Sequence, residues 1–192
     1  VPREQDTADA FSASQLVASF AGNKGILKTT SALNTSVKQR IALKGLVGSS
    51  ASITVTAVSQ SVPKIHLVVL SDKESAVYFS NDIENLLGET DEKFHRKHVL
   101  FYPTSYKRPY EPEQTDNSNV LMRTEVLKRI STRGKETIIV TYPEALTEKV
   151  VNRKYLEKST LKLKRGETVD LDFIYDLLDE YGFVRTDYVV EP

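Results

Sequence analysis

The feature that most restricts what this chain can become is a recurring pair, a short apolar run followed by a stretch with helical periodicity. KIHLVVL (Lys64–Leu70) is such a run, bounded by polar residues, as expected of a parallel strand buried on both faces. Ser71 and Asp72, with Glu74 behind them, mark a helix start. Ala76, Val77, Phe79, Ile83, Leu86 and Leu87 then recur at helical spacing, and Gly88 supplies the stop. HVLFYP gives a second strand. A helix over 119–131 follows, carrying Val120, Leu121, Leu127 and Ile130, and after Arg133-Gly134 comes the strand ETIIVTY. Ahead of these, the apolar run RIALKGL reads as a strand leading through GLVGSSAS into a helix over 50–60 that Pro63 ends. Strand and helix therefore alternate four times before about residue 150. The pattern predicts an α/β fold, a parallel sheet covered by helices, with ligand positions outside the carboxyl ends of the strands.

The flanks read differently. Residues 7–20 place Ala8, Phe11, Leu16 and Phe20 at helical spacing, ended by Gly22-Asn23, and KTTSALNTS reads as a Ser/Thr-rich link. Past Tyr155, STLKLKRGE alternates like a half-exposed strand, LDFIYDLLDEYGF is a strong amphipathic helix stopped by Gly182, and VRTDYVV is a further strand. Three regions result: an N-terminal helical extension (1–38), an α/β domain (39–152) and a partial α+β second unit (153–192). The last is too small to bury a core alone. The end at DYVVEP stops on a strand pattern without a polar tail, so the expectation is that the chain was cut from something longer.

Composition excludes some functions. Lys plus Arg and Asp plus Glu both number 26, which argues against nucleic-acid binding driven mainly by overall charge but leaves room for a local basic face. There is no cysteine, so disulfides and thiolate metal sites are excluded and a reducing cytoplasm is the expected setting. No apolar run approaches the roughly 20 residues of a membrane span, and VPREQDTADAF has no signal core.

LKGLVGSSASITV carries the frame of a phosphate-binding loop, G-x-x-x-x-G-K-[ST]. With Gly45 on the first glycine, Ser50 falls on the last glycine, Ala51 on the lysine and Ser52 on the hydroxyl residue, with Gly48 and Ser49 inside the turn. Ala51 offers no charge to a phosphate, and Ser50 takes a positive φ less readily than glycine. An ordinary strand-to-helix turn and the remnant of a nucleotide site both fit, and an anion could still rest on free N–H groups at the helix start. ETIIVTYPEAL offers Glu144 after Pro143 rather than an acidic pair for a metal, so no catalytic residue, cofactor or metal is expected. FYPTSYKRPYEPEQ interleaves Tyr106 and Tyr110 with Lys107 and Arg108, a pattern that could hold single-stranded nucleic acid or a partner; the competing reading is a proline-stiffened loop whose tyrosines pack on the sheet. His66, His95 and His98 have no metal-ligand spacing. Lys162, Lys164 and Arg165 read as guards of an edge strand.

The succession of LKGLVGSSASITV, HLVVLSDKESAVYFSNDIENLL, FYPTSYKRPYEP, VLMRTEVLKRISTRGKETIIVTYPEAL and LKLKRGETVDLDFIYDLLDEYGFVRTDYVVEP resembles the N-terminal, UvrB-like module of the bacterial transcription-repair coupling factors (Mfd). The resemblance spans roughly residues 40–192. UvrB itself has an intact phosphate loop and a long aromatic hairpin, whereas only the nine residues Glu111–Asn119 follow Tyr110 before the next helix, so the coupling factor fits better. The resemblance implies a degenerate P-loop or helicase-like first domain (UvrB domain 1a-like) and the opening of a UvrA-docking domain. It implies a non-catalytic recruitment role, with UvrA as partner and with RNA polymerase and DNA reached only through the full-length protein, whose ATP-driven translocase lies elsewhere. Most UvrA contacts would lie past Pro192, where an Arg-Gly-Gly segment is expected. The uncovered face of helix 170–181 would then favour self-association. The alternatives are an active P-loop NTPase or helicase half, and a UvrB-like DNA-binding module.

Overall fold

The computed structural model describes residues 12–35, 37–92, 96–106, 116–132, 136–152, 154, 161, 163–180 and 183. The chain divides into two compact units, Val1–Val151 and Asn152–Pro192. The first is an α/β unit around three parallel strands, β1 (Ile65–Val69), β2 (Val99–Tyr102) and β3 (Thr137–Thr141), in the order β1-β3-β2. Ile65 pairs with Thr137 and Val69 with Thr141 on one side of β3, while Val99 pairs with Ile138 and Tyr102 with Thr141 on the other. The expected α/β class with a parallel sheet is present.

β3 is central because all five of its residues, TIIVT, are buried. Parallel strands need crossover connections, and helices supply them. α4 (Lys73–Leu87) links β1 to β2, and α5 (Asn117–Ser131) links β2 to β3. Ala76 and Ile83 of α4 and Val126 of α5 join Val99, Leu100, Ile138, Ile139 and Val140 in one core. The ends of α4 follow from its sequence. Asp72 caps it by accepting from Ser75 N (2.8 Å), and Gly88 closes it in the left-handed region at φ 70°.

Several expectations are corrected. β1 is not buried on both faces. Among the described residues it has one hydrogen-bonded neighbour, and Ile65, Leu67 and Val69 remain exposed along one face. RIALKGL forms no strand. Residues 37–47 are exposed and pair with neither outer strand, so their backbone has no ladder to join. The alternation of strand and helix therefore begins at β1, one step later than expected.

The N-terminal region also departs from its reading. α1 (Ala13–Ala21) starts on a capping box at Ser12 and Gln15, and the expected helical residues 7–11 lie outside the described residues. The supposed link KTTSALNTS is instead mostly helix, α2 (Lys24–Leu33), capped by Asn23. Thr29 and Thr30 become buryable because their hydroxyls donate back to Gly25 O (2.9 Å) and Leu27 O (3.0 Å). Val17 of α1 and Ile26 of α2 meet Ala57, Val58 and Val62 in a second core around α3 (Ser50–Ser61).

A short α6 (Pro143–Thr147) follows β3. In the second unit, α7 (Leu171–Glu180) is helical as expected, with no buried residue. Leu161 and residues 163–167 of the expected strand form none; Arg165 and Gly166 make a turn with Gly166 at φ 93°. Lys162 and the strand expected over 184–190 lie outside the described residues. No helix among the described residues is long and apolar enough to cross a membrane.

Two measurements check this architecture. Leu100→Ala, at a position with no exposed surface, should lower unfolding free energy by about 2–5 kcal/mol in urea titrations. Leu67→Ala, on the uncovered row of β1, should cost under about 1 kcal/mol. Second, hydrogen bonds from Ser71, Ser75 and the Ser75 backbone hold the Asp72 carboxyl below its ordinary value of 3.8. A depressed carboxyl stabilises the fold above its unfolded pKa, and that contribution vanishes as pH falls through the folded value. The stability advantage of the native chain over Asp72→Ala should thus be full at neutral pH and shrink below pH 3.8.

Candidate functional site

The stretch with the phosphate-loop frame is a closed turn. Gly45 (φ 80°) and Gly48 (φ 54°) take the left-handed conformations that glycine allows without strain. Val47 N–H donates to Ser50 Oγ (2.6 Å), and Ser50 N–H donates back to Val47 O (3.2 Å). Ser50 is thus part of the latch of the turn. Ser49 is the residue before α3 and makes no side-chain cap. Ala51 sits in the first helical turn, half buried.

Ser52 is the informative residue. It is 1% exposed, and its hydroxyl lies 2.9 Å from Ser49 O and 3.2 Å from Asp82 Oδ2, an acceptor on α4. Ala13, Leu16, Ser49, Ser52, Ile53, Asp82, Asn85 and Leu86 line a cavity of about 250 Å³ beside it. Its one charged lining residue is a carboxylate. α1 and α3, the other two helices that wall it, carry no charged side chain. An anion entering here would meet Asp82 with no cation among the described lining residues to offset it.

A second constellation gathers at the carboxyl ends of β2 and β3. Arg123 of α5 is 5% exposed and donates through Nη1 to Pro103 O (2.6 Å) and Ala145 O (3.2 Å). The same nitrogen lies 3.5 Å from Glu148 Oε2, and the guanidinium stands 4.3 Å over the Tyr102 ring. Burial pushes the Tyr102 phenol above its ordinary range, with Arg123 pulling the other way. Glu148 Oε2 also accepts from Ser105 N (2.8 Å), and Thr104 N donates to Tyr142 Oη (3.0 Å). Arg123 and its neighbours thereby pin the segment 103–105. Thr104 Oγ1 contacts Tyr106 O (3.3 Å), which leaves Tyr106 half buried at the end of the pinned stretch. Lys107, Arg108 and Tyr110 lie outside the described residues.

A third group lies at the opposite, amino ends of the strands. Glu89 is buried and accepts through Oε2 from His98 N (2.8 Å) and Val99 N (3.2 Å), while Oε1 meets His98 Nδ1 at 2.5 Å. Lys64, His66, Leu87 and Glu136 join Glu89 and His98 around a cavity of about 290 Å³. His66 Nε2 bonds to Val62 O (2.8 Å), and His95 lies outside the described residues. Among the described residues no group of three or more His, Asp or Glu side chains could hold a metal ion.

The structure therefore brings Gly45 to Ser52 together as one turn and adds Asp82, which the sequence reading had passed over. Arg123 and Glu148 were missed as well, and so was Arg129, whose Nε donates to Glu125 Oε1 (3.0 Å). Position 123 falls three residues before buried Val126, and Arg129 three after, so both occupy the inward stripe of α5. The apolar residues expected there, Val120, Leu121 and Ile130, are exposed instead. No family model, curated protein or solved structure matches the chain.

Removing the buried guanidinium tests the second constellation. Arg123→Ala leaves Glu148 without its ion pair and two carbonyls without their donor, and should cost about 3 kcal/mol in denaturant unfolding. Arg123→Lys should recover only part of this, since an ammonium lacks the fork of donors and the delocalised charge that the guanidinium holds over the Tyr102 ring.

Proposed function

We propose that the chain is a non-catalytic recruitment module of a transcription-coupled DNA repair factor, built like UvrB, with a degenerate P-loop or helicase-like first domain. In this reading it contributes to UvrA recruitment at a stalled RNA polymerase, in the cytoplasm. The polymerase and DNA are engaged through other parts of the full-length protein. The observation that carries the proposal is the condition of the phosphate loop. Ala51 stands in the lysine's place, and the Ser52 hydroxyl, which in a working loop would hold magnesium, lies 2.9 Å from Ser49 O and 3.2 Å from Asp82 Oδ2. The three-strand parallel sheet and the order of the quoted segments support the same family.

The alternative, an active NTPase or helicase half, is separated from this reading by nucleotide binding. Titration with a fluorescent ATP analogue should give a dissociation constant weaker than about 1 mM, with or without magnesium. Restoring the lysine alone (Ala51→Lys) should change little, because Asp82 still faces Ser52. Micromolar, magnesium-dependent affinity would overturn the non-catalytic reading. Surface plasmon resonance against purified UvrA tests the recruitment itself: weak binding, with a dissociation constant under about 100 μM, is expected, and no signal at that concentration would count against it.

A further inference from the structure

The sheet has two edges, and they differ. β2 lies at one, with Val99, Leu100 and Tyr102 buried and Phe101 half buried. β1 lies at the other, and among the described residues no strand pairs with it there. Which of its groups face outward follows from the ladder. Leu70 N–H donates to Thr141 O (2.9 Å), and successive residues of a strand turn their N–H and C=O to alternate sides. His66, Val68 and Leu70 therefore direct theirs to β3, while Ile65, Leu67 and Val69 present theirs at the free edge. The side chains of the same three residues form the exposed row of β1. Native edges are guarded by charges, prolines or bulges. IHLVV (Ile65–Val69) has no Lys, Arg, Asp, Glu or Pro, and it pairs with β3 residue for residue, without a bulge.

We propose that this edge is a contact between two copies of the chain, joined antiparallel about a two-fold axis at Leu67. In that register Leu67 stands opposite itself, and Ile65 stands opposite Val69 of the second copy. Residues facing each other in a hydrogen-bonded antiparallel pair exchange both bonds, so every outward N–H and C=O finds a partner. A slip of one residue would set them against groups already bonded to β3. The side chains agree with the backbone. Ile65, Leu67 and Val69 meet apolar neighbours across the junction, His66 falls opposite Val68, and Lys64 falls opposite Leu70, so no like charges oppose each other. This match of the edge to itself selects a second copy over an unrelated strand, and the two-fold pairing closes without leaving a new edge. Three exposed side chains and one short ladder per copy fall below the roughly 1,000 Å² of a stable interface. The dimer is therefore weak, forming at about 100 μM and parting in dilute micromolar solution. The proposal concerns the first unit alone and does not depend on the recruitment reading.

Sedimentation equilibrium from about 10 to about 500 μM chain tests it. The native mass should climb from 21.6 kDa toward twice that value. Leu67 is 57% exposed, so Leu67→Lys and Leu67→Glu should fold, as circular dichroism melting checks. Each variant alone should stay monomeric, because like charges would meet at the axis. An equimolar mixture of the two should associate again, since opposite charges then face each other at position 67. Phe173→Lys, on the exposed surface of α7, should associate like the native chain. Amide exchange needs no variant: Ile65, Leu67 and Val69 should exchange several-fold more slowly at the highest concentration than at the lowest, with His66 and Val68 unchanged. A strictly monomeric native chain, undiminished association of the folded Leu67 variants, a mixture that stays monomeric, or association lost with Phe173→Lys would overturn the proposal.

Discussion

The first unit is organised around the need to enclose β3. A parallel strand bonded on both edges and covered on both faces leaves no group for water, so every side chain of TIIVT is buried and its neighbours must arrive by crossover. α4 and α5 are those crossovers, and their inward faces are fixed by what they cover. β1 and β2 take the two edges of β3, which sets their register. Position in this hierarchy decides exposure: the apolar sequences of β1 and β3 look alike, yet one is an edge and the other the centre.

How much of this could be read beforehand depended on whether the signal was local. α4 was legible at both ends because Asp72 and Gly88 act on the backbone within a turn of themselves. β1, β2 and β3 were legible as strands, since short apolar runs between turns allow little else. Their order was not, because adjacency is set by residues far apart in sequence. α2 was misread as a link because threonine lowers helix propensity. Bonding of Thr29 and Thr30 to their own helix, and burial against α3, reverse that penalty. The inward face of α5 was misassigned for a comparable reason. Arg123 and Arg129 are inward because carbonyls and carboxylates await them there, partners that hydropathy does not register.

The loop from Gly45 to Ser52 was legible as a phosphate-loop frame, but its present condition was not. That Ala51 stands at the frame's lysine position is plain from the sequence. Asp82, thirty residues further on, enters only when α3 and α4 pack together and brings a negative charge to the hydroxyl at Ser52. Ser50, at the position of the frame's last glycine, forms the latch of the turn.

Arg123 has a dynamic consequence. One side chain on α5 gathers the carbonyl of Pro103 after β2, the carbonyl of Ala145 in α6 and the carboxylate of Glu148. None of these segments can leave without withdrawing partners from the others. The carboxyl ends of β2 and β3 are therefore expected to open as a single cooperative element, with amides at Thr104 and Ser105 exchanging with solvent at a common rate.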